Sequence, residues 1–329
     1  MVGSAVVARL GSEGCEILTA PRAELDLRNQ NAVERWMLEH RPNVVILAAA
    51  KVGGILANNA YPVDFLYDNL MIEANIMNAA WKRGADKLLF LGSSCIYPKL
   101  APQPIQEDAL LSGPLEPTNQ WYAIAKIAGI MLCQAYRRQY QCDFISAMPT
   151  NLYGPNDNFD LISGHVLPAL LVKAHNAKQR NLRSFEIWGT GTPRREFLHV
   201  NDLADGLVHL LKFYSGEQHV NIGFGSDLTI FELSYAIKEI VGFEGEIAFD
   251  RTKPDGTPRK LLDSSFIRSM GWVPRIDLDK GLRSTYAWYL KNAVSIGANG
   301  AGTRSDVHAL NEPLTAQGPQ PRRVPHERS

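Results

Sequence analysis

Short, mainly apolar runs alternate along this chain with longer stretches in which apolar residues recur every third or fourth position. The runs at 44–50, 88–91 and 143–148 are typical of strands that are buried on both faces of a parallel sheet. Amphipathic helices are predicted between them, at 32–39 and 64–83. This alternation of strands and helices predicts an α/β fold with a doubly wound, parallel, Rossmann-like sheet.

The second half of the chain predicts a smaller lobe that interrupts this sheet. Helices are predicted at 167–177, 201–213, 229–241 and 279–292, with Asn201 capping the second of them. Strands are predicted at 185–189 and at 219–223, where the chain returns to the main sheet. We therefore predict a dinucleotide-binding domain formed by 1–155 plus 198–225, and a discontinuous substrate lobe formed by 156–197 plus 226–292.

The remaining residues, 295–329, contain no aromatic side chain and are dominated by Gly, Ala, Ser, Thr, Pro and Arg. Such a composition cannot bury a core, so a disordered tail is predicted there.

The beginning of the sequence departs from the pattern of a dinucleotide fold. Such a fold opens with a strand and a glycine-rich turn, but residues 1–10 already predict a helix, and 15–19 predict the second strand. The first strand is central in the usual strand order, so we expect its absence to expose two sheet edges. We expect weak dinucleotide binding by the sequence from Met1, and a longer native chain. A true truncation is the alternative, and the intact mass of the native protein distinguishes the two.

The candidate chemistry begins where the strand 88–91 ends. Ser93 follows this strand, and the next helix carries Tyr122 and Lys126 on one face, because residues four apart are neighbours on a helix. Ligands bind open α/β sheets at the carboxyl ends of the strands, where these three side chains can converge. An ammonium group stabilises a nearby phenolate, and a serine hydroxyl can bond a carbonyl oxygen during hydride transfer. The Tyr-x-x-x-Lys spacing alone is also common on exposed helix faces, but the preceding serine favours a site.

These residues resemble the extended short-chain dehydrogenase/reductase family, whose catalytic trio is Ser, Tyr and Lys. Several segments resemble one branch of this family, the GDP-L-fucose synthases, more closely still. The resemblance covers residues 1 to about 292, and its segments are AAAKVGGILANN, FLGSSCIYPK, YAIAKIAGI, MPTNLYGPNDNF, REFLHV and KPDGTPRKLLD.

The resemblance implies an NADPH-dependent 3,5-epimerase and 4-reductase that converts GDP-4-keto-6-deoxy-D-mannose to GDP-L-fucose. It implies that Cys95 and His165 exchange the acidic protons at C3 and C5 from opposite faces of the sugar. Ser93 and Tyr122 would hold the enolate oxygen, and Tyr122 would then donate a proton as hydride reaches C4. Lys126 would support the phenolate and contact the nicotinamide ribose. Without the resemblance, a lone cysteine at a strand end is more often core filler, and a lone histidine more often structural.

The cofactor expected from this resemblance is NADP(H). The predicted second strand has no acidic residue at its end, and the nearby Arg22 suits a 2′-phosphate, with a solvated loop arginine as the alternative. Gly3 matches the last glycine of the family's fingerprint, Asp26–Leu27 resemble its adenine-contacting segment, and Pro149–Leu152 its nicotinamide segment. The predicted cofactor-binding residues are Gly3, Arg22, Asp26, Leu27, Leu91, Gly92, Ser93, Ser94, Lys126, Pro149, Thr150, Asn151, Leu152 and His165.

A second set of residues suits the nucleotide part of the substrate. Arg195 can bind phosphate oxygens in a fork and Lys173 as a point charge, and Trp188 offers a face on which a base can stack. Asp255 is implied as a ligand by the resemblance. Core packing of Trp188 and a solvated Lys173 are the alternatives.

Composition limits the other functions. The chain of 329 residues has a formal net charge of zero, which argues against a broad nucleic-acid or anionic membrane surface. Its four cysteines have no metal-ligand spacing, so no metal site and a reducing, cytoplasmic compartment are expected. No apolar run approaches the roughly 20 residues of a membrane span. The resemblance also implies a homodimer.

Two other functions are open at this stage. One is a 4-epimerase or 4,6-dehydratase of the same superfamily, although a dehydratase would be expected to show an Asp-Glu pair where this chain has Cys95-Ile96. The other is a non-catalytic, nucleotide-binding scaffold, which the missing first strand favours and the intact catalytic trio opposes.

Overall fold

The computed structural model describes residues 1–161, 163–253 and 255–300, without the side chains of residues 56 and 293–300. Residues Met1–Tyr289 form one compact unit. Among the described helices, none is both long and apolar enough to cross a membrane.

Helices and strands alternate along most of the chain. The helices are α1 Val2–Leu10, α2 Gln30–His40, α3 Ile55–Ala60, α4 Pro62–Lys82, α5 Gln120–Tyr140, α6 Val166–Gln179, α7 Val200–Phe213, α8 Ile230–Val241, α9 Ser265–Ser269 and α10 Leu278–Gly300. The strands are β1 Val44–Leu47, β2 Lys87–Leu91, β3 Asp143–Pro149, β4 Asn151–Tyr153, β5 Ser184–Trp188, β6 Arg194–His199, β7 Val220–Ile222, β8 Asp227–Thr229, β9 Glu246–Asp250 and β10 Arg259–Lys260.

The main sheet has the strand order β1-β2-β3-β7, and every neighbouring pair is parallel. Successive side chains of a strand point to opposite faces. Leu88 and Phe90 therefore enter the core formed with α2, α4 and α5, while Leu89 and Leu91 enter the core formed with α1, α7 and α9. Helices thus cover both faces of the sheet, as the apolar runs predicted.

The connection from β2 to α5 positions the candidate residues. Strand β2 gives way to a short 3-10 turn, Ser94–Ile96, whose first free backbone N–H is capped by the side chain of Ser93. Helix α5 follows another 3-10 turn, Pro117–Asn119, where proline occupies a position that needs no N–H donor. The carboxyl end of β2 and the start of α5 consequently share one edge of the sheet.

The later strands form two smaller sheets. One has the order β10-β6-β4 with β8 antiparallel to β6, and the other pairs β5 with β9. These strands carry two of the predicted substrate residues, Trp188 and Arg195. The division into a cofactor domain and a substrate lobe stays a prediction, since 1–289 form a single compact unit.

Four predictions about local structure were wrong. The segment 15–19 is not a strand, because no described strand lies beside it to share hydrogen bonds, and most of it is exposed. The main sheet consequently shows an edge at β1 rather than two edges around a gap. The cap of α7 is the side chain of His199 instead of Asn201. Helix α10 continues to Gly300, so the first residues of the predicted tail are helical, and 301–329 lie outside the described residues.

Candidate active site

Tyr122 lies at the carboxyl edge of the main sheet, in the first turns of α5. Its ring meets the ring of Phe65 from α4 edge to face, at 6.3 Å between centroids. Burial raises the pKa of the Tyr122 phenol, and negative charge at Cys95 and Glu73 raises it further, whereas a hydrogen bond with Ser93 lowers it. The phenol is therefore protonated at neutral pH, as a proton donor requires.

Lys126 lies one turn farther along α5 and is almost completely buried. Its Nζ donates a hydrogen bond to the carbonyl oxygen of Leu91 at 3.1 Å. The same atom lies 3.0 Å from Glu73 Oε1, and both side chains are only 2% exposed. It also lies 4.6 Å from the ring centroid of Phe90 and 5.9 Å from that of Tyr122. The ammonium is thus fixed directly below the phenol.

Cys95 lies within reach of two donors from distant parts of the chain. Asn119 Nδ2 donates to Cys95 Sγ at 3.3 Å, and Lys260 Nζ approaches the same sulfur at 3.8 Å. The guanidinium of Arg195 is close enough that negative charge on Cys95 acts on its pKa, which burial lowers overall. A thiolate is stabilised by nearby cations, so this surrounding suits a cysteine that acts as a base.

His165 immediately precedes α6 and is not joined to the other four catalytic candidates by any described hydrogen bond, ion pair or ring contact. Its neighbour Gly164 packs against Gly54, whose N–H donates to the Ser163 carbonyl oxygen at 3.0 Å. His165 is exposed as a whole residue, but the protein around its imidazole partly desolvates the ring and so lowers its pKa. A mainly neutral imidazole near pH 7 can exchange protons. Its predicted role stays a prediction.

The predicted substrate residues form a second group beside these. Lys173 Nζ lies 5.1 Å from the ring centroid of Trp188, and Lys253 Nζ lies 5.9 Å from it. The Trp188 ring is 41% exposed, so it is available for stacking rather than enclosed in the core. Asp255 accepts hydrogen bonds from Thr190 N at 2.7 Å and from Thr190 Oγ1 at 2.9 Å. Aromatic surface and positive charge therefore occur together, as a nucleotide diphosphate requires.

The predicted nicotinamide segments lie at adjacent strand ends. Leu91 pairs with Ala147, and Gly92 N donates to the Ala147 carbonyl oxygen at 2.9 Å. Residues 149–152 continue from β3 into β4, and Asn151 Nδ2 donates to the Glu196 carbonyl oxygen at 2.8 Å. A Cβ atom at position 92 would lie 2.3 Å from Met148 Sδ, so the flexible end of the Met148 side chain would have to shift to admit one.

The predicted adenine end lies on α1 and the loop before α2. A Cβ atom at Gly3 would meet nothing within 4 Å in the described structure, so no internal contact requires this glycine. Asp26 forms an ion pair with Arg28 at 2.7 Å, which lowers the pKa of its carboxyl to about 2. Arg22 is exposed, and no hydrogen bond or ion pair to another described residue engages it.

The sequence analysis missed three polar residues of this site. Asn119 and Lys260 contact Cys95, and Glu73 contacts Lys126. Lys260 lies inside a segment that the resemblance used and Asn119 lies just before one, but the sequence did not show that either residue contacts Cys95. Glu73 had one signal, a carboxylate on the buried face of α4. Asn69 on the same helix is also buried, and its side chain bonds both the N–H and the carbonyl oxygen of Lys51.

Comparison with known proteins identifies the family of this chain. The profile of the NAD dependent epimerase/dehydratase family matches residues 1–223. A GDP-L-fucose synthase of Sinorhizobium fredii is 59% identical over 292 residues, covering 89% of this chain and 93% of that protein.

Two solved structures are also similar. A GDP-6-OMe-4-keto-L-xylo-heptose reductase of C. jejuni has a TM-score of 0.84 and 37% identity, covering 88% of this chain and 95% of its own. A GDP-L-fucose synthetase of Naegleria fowleri bound to NADP has a TM-score of 0.82 and 29% identity, covering 89% of this chain and 91% of its own. The chain therefore belongs to the NAD dependent epimerase/dehydratase family.

Proposed function

We propose that this protein is a GDP-L-fucose synthase, which epimerises GDP-4-keto-6-deoxy-D-mannose at C3 and C5 and reduces it at C4 with NADPH. The observation that carries this proposal is the assembly of Ser93, Cys95, Tyr122 and Lys126 at one sheet edge. Cys95 favours this activity over a 4,6-dehydratase, because it stands where the dehydratase chemistry would need carboxylates. The 59% identity to a GDP-L-fucose synthase supports the same substrate.

Each residue has a chemical role in this reaction. The 4-keto group acidifies the hydrogens at C3 and C5, and Cys95 and His165 remove and return these protons. The hydroxyls of Ser93 and Tyr122 donate hydrogen bonds to the C4 oxygen, where negative charge develops. Tyr122 finally gives its proton to this oxygen, and the ammonium of Lys126 stabilises the phenolate that remains.

The residues at the nicotinamide end fit an NADP(H) cofactor. Lys126 has three N–H donors. Its described contacts are one hydrogen bond to the Leu91 carbonyl oxygen and an ion pair with Glu73, so a donor is available to a ribose hydroxyl. The exposed and unengaged Arg22 suits a 2′-phosphate, and the open surface at Gly3 permits a close approach to α1. When bound, NADPH supplies the hydride that reduces C4.

The proposed activity is tested by incubating the protein with GDP-4-keto-6-deoxy-D-mannose and NADPH. We expect NADPH oxidation and a product that co-elutes with GDP-L-fucose. Titration with NADPH, followed by nicotinamide fluorescence, separates the alternatives: a folded protein that binds neither NADPH nor the nucleotide sugar contradicts the proposal, and one that binds both without turnover supports the scaffold.

We further propose that the protein is a homodimer formed through α4 and α5. These helices pack against each other, and their outer faces expose apolar residues at helical spacing, namely Val63, Tyr67, Trp121, Ile124 and Met131. A contiguous exposed apolar surface of this kind is typical of protein interfaces. A twofold dimer would bury this face against the same face of a second copy.

Replacing Ile124 and Met131 together by Glu should convert the dimer to a monomer. A buried, unpaired charge costs several kcal/mol, so we expect the dimer dissociation constant to rise by at least about 100-fold, or about 3 kcal/mol. Analytical ultracentrifugation measures the change. Leu100→Glu is the matched control, because Leu100 is also exposed but lies outside both helices. A double variant that sediments as the parent protein does contradicts this interface.

A cytoplasmic location is also proposed. All four cysteines are free thiols, which is the state expected in a reducing compartment.

A further inference from the structure

Glu73 is a buried carboxyl group that the proposed mechanism leaves unused. It lies on α4, 2% exposed, with its Oε1 3.0 Å from Lys126 Nζ. Neither of its oxygens accepts a hydrogen bond of good geometry from a described residue. A carboxylate in such a place loses its hydration and receives a single cation in return, which is unfavourable for stability alone.

The packing of α5 leaves room for this carboxyl group. A Cβ atom at Gly129 would lie 2.8 Å from Glu73 Oε2 and 2.4 Å from Phe90 Cζ. Glycine inside a helix is unfavourable, so α5 accepts a less stable residue at a position where a side chain would meet the carboxyl group. The packing of α5 against α4 is therefore fitted to the Glu73 side chain.

Glu73 and Leu91 hold the ammonium of Lys126 from below. The carbonyl oxygen of Leu91 accepts one N–H at 3.1 Å, and the Glu73 carboxylate faces a second. The face of the Phe90 ring closes a further side at 4.6 Å. Held in this way, Lys126 Nζ lies 5.9 Å from the ring centroid of Tyr122.

We propose that Glu73 is a positioning residue for the reduction step: its carboxylate supplies the counter-charge and the orientation that Lys126 needs to support Tyr122. This inference rests on the proposed function. Without the carboxylate, the buried ammonium would have lost its only described ion-pair partner and would rotate about its contact with Leu91.

The protonation of Glu73 then controls the rate. The titratable groups that act with it are Lys126, Tyr122 and Cys133, all on α5, and strand β2 contributes only the apolar Phe90. Burial raises the pKa of Glu73 to about 7, against the opposing charge of Lys126. The carboxylate therefore forms as pH rises through about 7 and is lost below it. The reduction rate should fall on the acid side of this pH.

The effect on stability has the opposite sign. Because the pKa is raised from 4.5 in the fold, the neutral carboxyl is the form that the fold favours. Its contribution to stability is complete below pH 4.5 and is lost as pH rises through about 7. The reduction rate should therefore rise with pH while the contribution of Glu73 to stability falls. A carboxyl group with a purely structural role would not require this opposite change in the rate.

Glu73→Gln tests the proposal, because it keeps the shape of the side chain and removes its charge. We expect the single-turnover rate of reduction at about pH 8 to be about tenfold lower in this variant than in the parent protein. The steady-state KM for the nucleotide sugar should be unchanged. The acid limb near pH 7 should disappear. A Gln variant that keeps the parent rate, or that keeps the limb, overturns the proposal.

Asn78→Ala is the matched control. Asn78 also lies on α4 and faces α5, where its Oδ1 accepts a hydrogen bond from Tyr136 at 3.1 Å. It should lower stability while leaving the acid limb in place. If it changes the pH profile in the same way as Glu73→Gln, the effect is general loosening of the helix pair and the proposal is wrong.

A measurement on the protein without cofactor separates this inference from the proposed function. Infrared difference spectra should show the carbonyl stretch of a protonated carboxyl group that disappears as pH rises through about 7 and is missing in Glu73→Gln. Glu73→Asp keeps the charge but moves it away from Lys126, so this variant should keep the acid limb of the pH profile at a lower rate. It tests the proposal if the Gln variant does not fold. No such band, or an Asp variant without the limb, contradicts the role of Glu73. Failure to form GDP-L-fucose with the band present contradicts only the proposed function.

Discussion

Replacing Tyr122 by Phe should lower the rate of C4 reduction by about 10²–10⁴-fold, the contribution typical of a positioned general acid. Burial holds the phenol protonated beside Ser93, so Tyr122 can give its proton to the C4 alkoxide that develops. The substitution removes a single oxygen and retains the ring that packs against Phe65. We therefore expect a folded protein with a nearly unchanged KM and a collapsed kcat, measured by NADPH oxidation.

The same variant should keep part of its epimerase activity. Ser93 still donates a hydrogen bond to the enolate oxygen, so exchange of solvent deuterium into C3 and C5 should decline less than reduction does. Tyr136→Phe is the matched control, since Tyr136 lies on the same helix and loses only its hydrogen bond to Asn78. A Tyr122→Phe protein that reduces the substrate at the parent rate would remove the phenol from the mechanism.

The catalytic trio could be predicted because local rules determine its position. A continuous apolar run specifies a buried parallel strand, and the four-residue spacing of Tyr122 and Lys126 places both on one helix face. Ser93 directly follows the end of β2, so it lies at the same edge of the sheet. The predicted strand 88–91 was confirmed as β2, and the predicted helix that carries Tyr122 and Lys126 was confirmed as α5.

The surroundings of the trio could not be predicted in the same way. Cys95 and Lys260 are 165 residues apart, and their contact depends on β10 pairing with β6 in a separate sheet. Glu73 meets Lys126 only because α4 packs against α5, which hydrophobic periodicity does not specify residue by residue. The segment 15–19 failed for the converse reason: its composition permits a strand, but a strand also needs a neighbour.

Replacing Cys95 by Ser should separate the two reactions. A serine hydroxyl loses its proton far less readily than a cysteine thiol does, so it does not supply an anionic base at neutral pH. Proton exchange at C3 and C5 should therefore fall by about 10²–10⁴-fold. Reduction should persist, because Tyr122, Lys126 and Ser93 are untouched. The expected product is reduced at C4 and keeps the D-manno configuration at C3 and C5.

Deuterium incorporation from D₂O and chromatography of the product measure these two outcomes separately. Cys142→Ser is the matched control, because the Cys142 thiol is also partly buried but lacks the contacts that Asn119 and Lys260 make with Cys95. Burial raises the pKa of the Cys142 thiol, so it should contribute nothing to exchange. Equal loss of exchange and reduction in Cys95→Ser would mean that the thiol serves both reactions. That result would contradict the separate roles assigned to Cys95 and Tyr122.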